Sequence, residues 1–199
     1  MQFETKLIHT GASADTITGA VIAPIFMTST YKQSEPGVSR GYDYTRSGNP
    51  NFTALEQTLA AVEGGQYATV FSSGLGATTA LASTLASGDV VLASTDLYGG
   101  TYRLFKQVFE KLGVMLKLTD TTNIETYKAA LKQKPKLVFI ESPTNPLLRV
   151  SNIRLLSNLT QRQQTTLVVD NTFATPYYQN PLTLGADIVL HSTTKYISG

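Results

Sequence analysis

Residues 137–170 read LVFIESPTNPLLRVSNIRLLSNLTQRQQTTLVVD. The short apolar runs Leu137–Ile140 and Leu167–Asp170 are typical of buried strands, and residues 152–163 between them place apolar side chains at helical spacing. A strand, a helix and a second strand in this order form a right-handed crossover with parallel strands. This stretch therefore predicts an α/β fold.

The same alternation continues towards both ends of the chain. Asn49 can cap a helix, Pro50 suits its first turn, and Gly64 suits its end. The other predicted elements are strands at Tyr67–Phe71, Val90–Ala93, Val114–Leu118 and Ile188–His191, and helices at Leu75–Ser87, Thr101–Leu112 and Ile124–Gln133. We therefore predict one α/β domain over residues 49–199, with a mostly parallel sheet covered by helices.

Residues 1–48 show little periodicity and contain several glycines and prolines that mark turns and extended segments. A segment of this kind gains little from packing on itself. We expect residues 1–48 to form an arm that contacts a neighbouring subunit.

The composition excludes several classes of function. Hydrophobic residues make up 42% and charged residues 15%, the net charge is +2, and there is no cysteine. Disulfides, thiolate metal sites and a cysteine nucleophile are excluded. The charges form no basic stripe, so we expect no nucleic-acid or membrane partner. His9 and His191 lack metal-ligand spacing, and the N-terminus lacks a secretory signal, so we expect no metal and a cytoplasmic location.

Two loops that follow predicted strands contain residues suited to binding phosphate. Ligands of open α/β sheets bind beyond the carboxyl ends of the strands. Gly74 and Leu75 open a helix whose free N–H groups can bind an anion, although a plain tight turn would need the same residues. Ser192 and Thr194 add hydroxyls beside Lys195, whose amine can form a Schiff base. The ordinary alternative for Lys195 is a solvated surface side chain.

Other residues suit an aromatic, phosphorylated ligand. Asp170 ends a strand and can pair with a ring nitrogen, or it can cap a helix or close a turn. Tyr98 can stack on a ring, or it can pack in the ordinary way. Tyr44 and Arg46 are two positions apart, so in an extended segment they point to the same side and can bind phosphate. The alternative for these two residues is a surface turn.

A nicotinamide-dependent oxidoreductase is a competing hypothesis. Gly74 and Gly76 begin a dinucleotide-binding fingerprint, and Asp96 lies where a ribose-binding acid would be expected. The third glycine position of that fingerprint is occupied by Thr79, and Asp96 lies in a glycine-containing loop. A non-catalytic fragment that only folds or associates is a third hypothesis.

The sequence resembles the Cys/Met metabolism, or transsulfuration, enzymes, which depend on pyridoxal 5'-phosphate (PLP) and have fold type I. The resemblance covers the whole chain and is carried by YTRSGNP (44–50), SSG (72–74), DLYGGT (96–101), ESPTNP (141–146), VDNTF (169–173), LGADI (184–188) and STTKY (192–196). It implies the large PLP-binding domain of that fold, in a homotetramer that is a dimer of dimers.

The resemblance also implies a role for each matching residue. Lys195 would bind PLP covalently and later shuttle protons, and Asp170 would pair with the pyridine nitrogen. Tyr98 would stack on the ring and meet the substrate, and Asn145 would lie near the phenolic oxygen. Phosphate binding would fall to a set of residues in this chain and its neighbour: Gly74, Leu75, Ser192 and Thr194, with Tyr44 and Arg46 of the neighbouring subunit.

The activity implied is elimination at a carbon–sulfur bond of cystathionine or a related amino acid, as in cystathionine γ-lyases. The alternative is γ-replacement, as in cystathionine γ-synthases and O-acetylhomoserine thiolyases. Asp43 would meet the distal amine of cystathionine, and Gly100 stands where methionine γ-lyases have cysteine, which disfavours that activity. The chain stops soon after Lys195, so we expect the C-terminal part, with its arginine for the substrate carboxylate, to be missing.

Overall fold

The computed structural model describes residues 2–11 and 13–198. The chain divides into two compact units, Met1–Val70 and Phe71–Gly199. Among the described residues, no helix combines the length and the apolar character that crossing a membrane requires.

The first unit contains two helices, α1 (Phe3–His9) and α2 (Pro50–Glu63). Helix α2 confirms the predicted signals, because the Asn49 side chain accepts the N–H of Asn51 at 2.8 Å and Gly64 ends the helix in the left-handed conformation. Helix α1 was not predicted, because seven residues are too few to show a helical period. The Thr58 hydroxyl donates to the carbonyl of Thr10, which ties α2 to the end of α1.

The second unit is built on a five-stranded, wholly parallel sheet in the order β2-β1-β3-β4-β5. Its strands are β1 (Val90–Ser94), β2 (Met115–Thr119), β3 (Leu137–Glu141), β4 (Thr166–Asp170) and β5 (Ile188–Leu190). Its α-helices are α3 (Gly74–Ala82), α4 (Gly99–Gln107), α5 (Ile124–Leu131), α6 (Ile153–Gln161) and α7 (Thr175–Tyr178), and Phe109–Leu112 and Pro181–Leu184 are 3-10 helices. The predicted parallel α/β sheet is confirmed.

The hydrophobic core covers both faces of the sheet. Val138 and Ile140 belong to one buried cluster with Tyr127 and Leu156, whereas Phe139 belongs to the opposite cluster. Successive strand side chains point to opposite faces, so a strand covered on both sides is apolar throughout. This explains why β3 begins with the uninterrupted apolar run Leu137–Ile140.

Three predicted elements differ from the structure. Residues 67–71 form no strand, and Tyr67 is 83% exposed, so no buried face stabilises pairing there. Helix α3 ends at Ala82 instead of Ser87, because the Asp89 carboxylate accepts the N–H of Ala86 in a local turn. The predicted helix 101–112 ends at Gln107 and continues as the short 3-10 helix.

Parallel pairing places the carboxyl ends of all five strands at one edge of the sheet. The chain reverses its direction of strand addition between β1 and β3, which lie side by side. In open α/β sheets, such a switch point is where ligands bind. The loops after β1, β3, β4 and β5 therefore form the candidate site.

Candidate active site

The start of helix α3 and the loop after β5 meet closely. Ser73 caps α3 by accepting the N–H of Gly76 at 3.0 Å, which leaves the N–H groups of Gly74 and Leu75 without intrahelical partners. A Cβ atom at Gly74 would lie only 2.9 Å from the Cβ of Ser192. Glycine is required for this approach, and the two predicted phosphate-binding segments are thereby brought together.

Thr172 links the loop after β5 to Asp170. Its hydroxyl donates to Asp170 Oδ1 at 2.6 Å and accepts the N–H of Ser192 at 2.9 Å, and its own N–H reaches the same Oδ1 at 3.0 Å. Thr172 was not among the site residues predicted from the sequence. The available signal was its place two residues after an acid at a strand end, where a hydroxyl commonly closes a local turn.

Two carboxyl groups lie side by side at the ends of β3 and β4, because Glu141 pairs in register with Asp170. Burial raises the pKa of Asp170, against the lowering effect of the Thr172 hydrogen bonds. Burial and the neighbouring Asp170 raise the pKa of Glu141 to about 7. The charge of His191 also lowers the pKa of Asp170. A positively charged group placed here would relieve the repulsion between them.

Glu141 also contacts two predicted site residues. Its Oε2 accepts the N–H of Tyr98 at 2.8 Å, and the nearby backbone N–H of Asn145 lowers its pKa. The Tyr98 side chain is half exposed and lies against Gly100, where a Cβ would come within 2.4 Å of Tyr98 Cε1. Tyr98 and Asn145 are thus held at the same edge as Asp170. Glu141 itself was not among the predicted site residues.

Lys195 and Thr194 lie in a turn that follows β5, and both are exposed. The Lys195 N–H donates to the carbonyl of Ser192 at 3.2 Å, which closes the turn onto the segment predicted to bind phosphate. The rings of Phe173 and Tyr196 meet edge to face with centroids 6.0 Å apart, and they connect this turn to the loop after β4. The lysine is accessible next to the groups predicted to bind an anion.

The predicted residues of the arm belong to the first unit. Arg46 donates to the Tyr44 hydroxyl at 3.1 Å, so the two side chains do lie on the same side. Asp43 is engaged locally and accepts the N–H of Tyr44 at 2.7 Å and the hydroxyl of Ser47 at 3.1 Å. The roles of Asp43, Tyr44 and Arg46 in a cofactor or substrate site stay predictions.

Asp96, the acid considered for a ribose, forms an ion pair instead. Arg149 reaches Asp96 at 3.3 Å and Asp120 at 2.6 Å, which joins the loops that follow β1 and β2 to the loop after β3. The described residues contain no cluster of three or more side chains that could hold a metal ion.

A parallel α/β sheet that carries an anion cradle, an accessible lysine and a strand-end acid at one edge is the framework of an enzyme with a phosphorylated aldehyde cofactor. The sequence profile of the Cys/Met metabolism PLP-dependent enzymes matches residues 4–199, and the chain belongs to this family. Its fold is that of the fold type I PLP-dependent enzymes, and the predicted resemblance is confirmed.

Individual relatives carry several related names. A probable cystathionine gamma-synthase of Herpetosiphon aurantiacus is 48% identical over 197 residues, which are 99% of this chain and 62% of that protein. A cystathionine beta-lyase of Lactococcus lactis subsp. cremoris is 49% identical over 98% of this chain and 52% of its own length. The crystal structure of a cystathionine gamma-lyase from Lactobacillus plantarum has a TM-score of 0.95 and 41% identity, covering 100% of this chain and 52% of that one. The chain thus spans 52 to 62% of the length of these proteins.

The described residues fit PLP. The N–H groups of Gly74 and Leu75 face no intrahelical acceptor and suit the phosphate, with Ser192 directly beside them. Asp170 accepts both Thr172 hydrogen bonds through Oδ1, and a carboxylate held at this position suits a protonated ring nitrogen. These groups favour PLP over a nicotinamide dinucleotide, the competing hypothesis.

Proposed function

We propose that this chain is the PLP-binding part of an enzyme that breaks the carbon–sulfur bond of cystathionine, or of a related amino acid, by elimination. Relatives named cystathionine beta-lyase and cystathionine gamma-lyase support this activity. The observation that carries the proposal is the continuous link from Gly74 through Ser192 and Thr172 to Asp170, with Lys195 in the adjoining turn.

The residues of the proposed site would have distinct tasks. Gly74, Leu75, Ser192 and Thr194 would hold the phosphate, Asp170 would keep a proton on the ring nitrogen, and Tyr98 and Asn145 would contact the ring and its oxygen. Bound PLP supplies an electron sink for the α-carbon of an amino acid. The Lys195 amine would hold the cofactor and then move a proton through its Nζ atom.

The cofactor assignment is tested by absorption spectroscopy on the purified chain with added PLP. We expect a visible band that borohydride removes, and a PLP-modified peptide containing Lys195 in the mass spectrum. Lys195→Ala should abolish the modification, whereas Lys117→Ala, an exposed lysine on β2, should keep it. PLP attached at another lysine, or a colourless chain that binds NAD, would contradict the assignment.

Product analysis separates the activities. With cystathionine, γ-elimination releases cysteine, 2-oxobutyrate and ammonia, whereas β-elimination releases homocysteine, pyruvate and ammonia. Formation of cystathionine from cysteine and an activated homoserine ester would favour γ-replacement, the alternative supported by the relative named cystathionine gamma-synthase. A chain that binds PLP at Lys195 but forms none of these products is the outcome expected of a non-catalytic fragment.

The subunit arrangement and location are further proposals. Residues 1–48 would contact a neighbouring subunit, and Tyr44 and Arg46 would reach that subunit's phosphate within a dimer of dimers. A cleft of about 610 Å³ is lined by Tyr44 and Arg46, with Thr28, Ser29 and the apolar Phe26, Met27 and Phe52, and Arg46 would be the group there that meets an anion. A cytoplasmic location suits an enzyme of free amino acids. Molecular mass in solution tests the assembly, and a monomer at all concentrations would contradict it.

A further inference from the structure

The Glu141 side chain lies at the point where two loops of the site converge. It ends β3, is only 5% exposed, and accepts the N–H of Tyr98 in the loop after β1, and the backbone N–H of Asn145 in the loop after β3 is near enough to lower its pKa. Its own N–H lies 3.4 Å from the Ser94 hydroxyl at the end of β1. One carboxyl group therefore spans the switch point between β1 and β3.

The Tyr98 ring depends on this contact for its position. Tyr98 precedes helix α4, and its own side chain makes no capping hydrogen bond there. The ring is 48% exposed and lies against Gly100, whose missing side chain leaves room for it. The Tyr98 backbone N–H donates to the Glu141 carboxyl at 2.8 Å. This hydrogen bond fixes the backbone position from which the Tyr98 side chain extends.

We propose that Glu141 is a positioning residue that holds Tyr98 and Asn145 in place around the PLP ring. This inference rests on the PLP site proposed above. Glu141 acts through the backbone of these two residues, and no direct contact with the cofactor is required. Its buried carboxyl is the acceptor of the Tyr98 N–H, with the Asn145 N–H nearby, and loss of a partner for such a donor is costly.

Comparison of two substitutions isolates this role. Glu141→Gln keeps a side-chain oxygen of the same length, whereas Glu141→Ala removes the acceptor altogether. In the cofactor-free chain we expect Glu141→Ala to accelerate hydrogen exchange of the Tyr98 and Asn145 amides at least about tenfold, and Glu141→Gln to change it less. Thr165→Ala, a buried hydroxyl whose partner is the Pro135 carbonyl, is the matched control and should leave both amides unchanged.

PLP binding provides the second measurement. We expect Glu141→Ala to weaken PLP affinity about tenfold and to change the visible circular dichroism of bound PLP, with substantial rescue in Glu141→Gln. Unchanged exchange and unchanged dichroism in Glu141→Ala would overturn the inference. If the unsubstituted chain binds no PLP, the proposed function fails, while the exchange measurement still decides whether Glu141 positions Tyr98 and Asn145.

A pH titration keeps the inference testable if Glu141→Ala does not fold. Two acids act on Glu141: Asp170 from β4 and Asp96 after β1. Asp170 lies near His191, and Asp96 forms an ion pair with Arg149. In the unsubstituted chain, the Tyr98 amide resonance should shift as the Glu141 carboxyl ionises near neutral pH. Glu141→Gln should lack this step and Asp170→Asn should lower its midpoint. The same step in Glu141→Gln would contradict the role of Glu141.

Discussion

At the scale of single residues, one oxygen atom joins two parts of the candidate site. The Thr172 hydroxyl donates to Asp170 and accepts from the Ser192 N–H, so the acid predicted to meet the ring nitrogen and the segment predicted to bind phosphate have a common support. The Thr172 hydrogen bonds also lower the pKa of Asp170, in opposition to burial. Thr172 thus helps to keep Asp170 charged.

Replacing Thr172 tests this support. Thr172→Val keeps the shape but removes the hydroxyl, and hydrogen bonds to charged groups contribute about 1.5–3 kcal/mol. We expect PLP affinity to fall by roughly ten- to a hundredfold, because Asp170 is then less readily ionised. Thr172→Ser retains the oxygen and should recover most of the affinity. If a fluorescence titration gave equal PLP affinity for the unsubstituted chain and both variants, the Thr172 hydroxyl would not connect Asp170 to the Ser192 segment.

Tyr127 offers a test that is independent of the cofactor. Its side chain is fully buried, and its hydroxyl has no hydrogen-bond partner in the part of the chain that the structure describes. Burial raises the pKa of this phenol, so it stays neutral. Tyr127→Phe should leave the free energy of unfolding unchanged or raise it by about 1 kcal/mol, since an unsatisfied polar group is removed.

The control for this prediction is Tyr127→Leu, which leaves a cavity and should lower the free energy of unfolding by a few kcal/mol. Urea denaturation followed by circular dichroism measures both changes. A loss of more than about 1 kcal/mol in Tyr127→Phe would mean that the hydroxyl has a partner, since this exceeds a typical net hydrogen bond.

Some site residues could be proposed from the sequence because their chemistry is unusual at their position. Asp170, Lys195 and the 73–76 loop were predicted as site residues because an acid, a lysine or glycines at strand ends suit a ligand, and their roles stay predictions. Glu141 and Thr172 were missed because their importance lies in whom they contact. Side-chain partners on neighbouring strands cannot be read from a single sequence without knowing the register.

At the scale of elements, helix α3 and the loop after β5 are fitted together through Gly74. Its backbone dihedral is not in the left-handed region, so alanine would be acceptable except for the approach to Ser192. Gly74→Ala should separate the two segments and weaken PLP binding at least about tenfold, or about 1.4 kcal/mol. Measurement of the PLP dissociation constant checks this.

Gly76 in the same helix is the matched control. A Cβ there meets the rotatable Ser73 hydroxyl first, at 3.3 Å, and alanine favours helix formation. Gly76→Ala should therefore keep PLP affinity close to that of the unsubstituted chain. Similar losses in both variants would contradict a specific approach of Gly74 to Ser192.

Arg149 holds three strand-end loops together, and its contribution depends on pH. Hydrogen bonds from Thr122, followed by Arg149, lower the pKa of Asp120 to about 2. A lowered carboxyl pKa stabilises the folded chain above the unfolded value of about 3.9, and this stabilisation is lost as the pH falls towards 2. The pair is about one third exposed, so solvent screening keeps the effect on stability small.

We expect Arg149→Ala to lower the free energy of unfolding slightly at pH 7. The difference in stability between this variant and the unsubstituted chain should shrink as the pH falls from about 4 to 2. Arg162→Ala, an exposed arginine after helix α6, is the control and should have no such effect. Urea midpoints measured over this pH range give the result. A stability difference that stays constant down to pH 2 would contradict the assigned ion pair.

The predicted elements were correct where burial determined them. Strands β1, β3 and β4 are apolar because both faces of the sheet are covered, and this is visible in the sequence. The strand predicted at 67–71 was wrong, since its two aromatic residues, Tyr67 and Phe71, are exposed. Local hydrogen bonds ended helix α3 early, and apolar periodicity does not report such competition.

At the scale of the whole molecule, the proposed arm makes a prediction about mixed oligomers. If Arg46 serves the neighbouring subunit, Arg46→Ala alone should weaken PLP binding at every site. A mixed oligomer of Arg46→Ala and Lys195→Ala subunits should recover affinity at some sites, because an intact lysine then meets an intact arginine from its neighbour. PLP titration of co-expressed, differently tagged subunits measures this, and no recovery would place Arg46 at its own subunit's site.

The contact between Gly74 and Ser192 joins the beginning of the second unit to the loop after its last strand. A contact between residues so far apart in the sequence forms only once the chain between them is ordered. Sheets that depend on many contacts of this long range fold slowly. The phosphate cradle is therefore complete only in the folded molecule. A cofactor that binds it stabilises that state by mass action, by about 2.7 kcal/mol at a hundred times its dissociation constant. In cells, the supply of PLP would then set how much of the newly made chain escapes degradation.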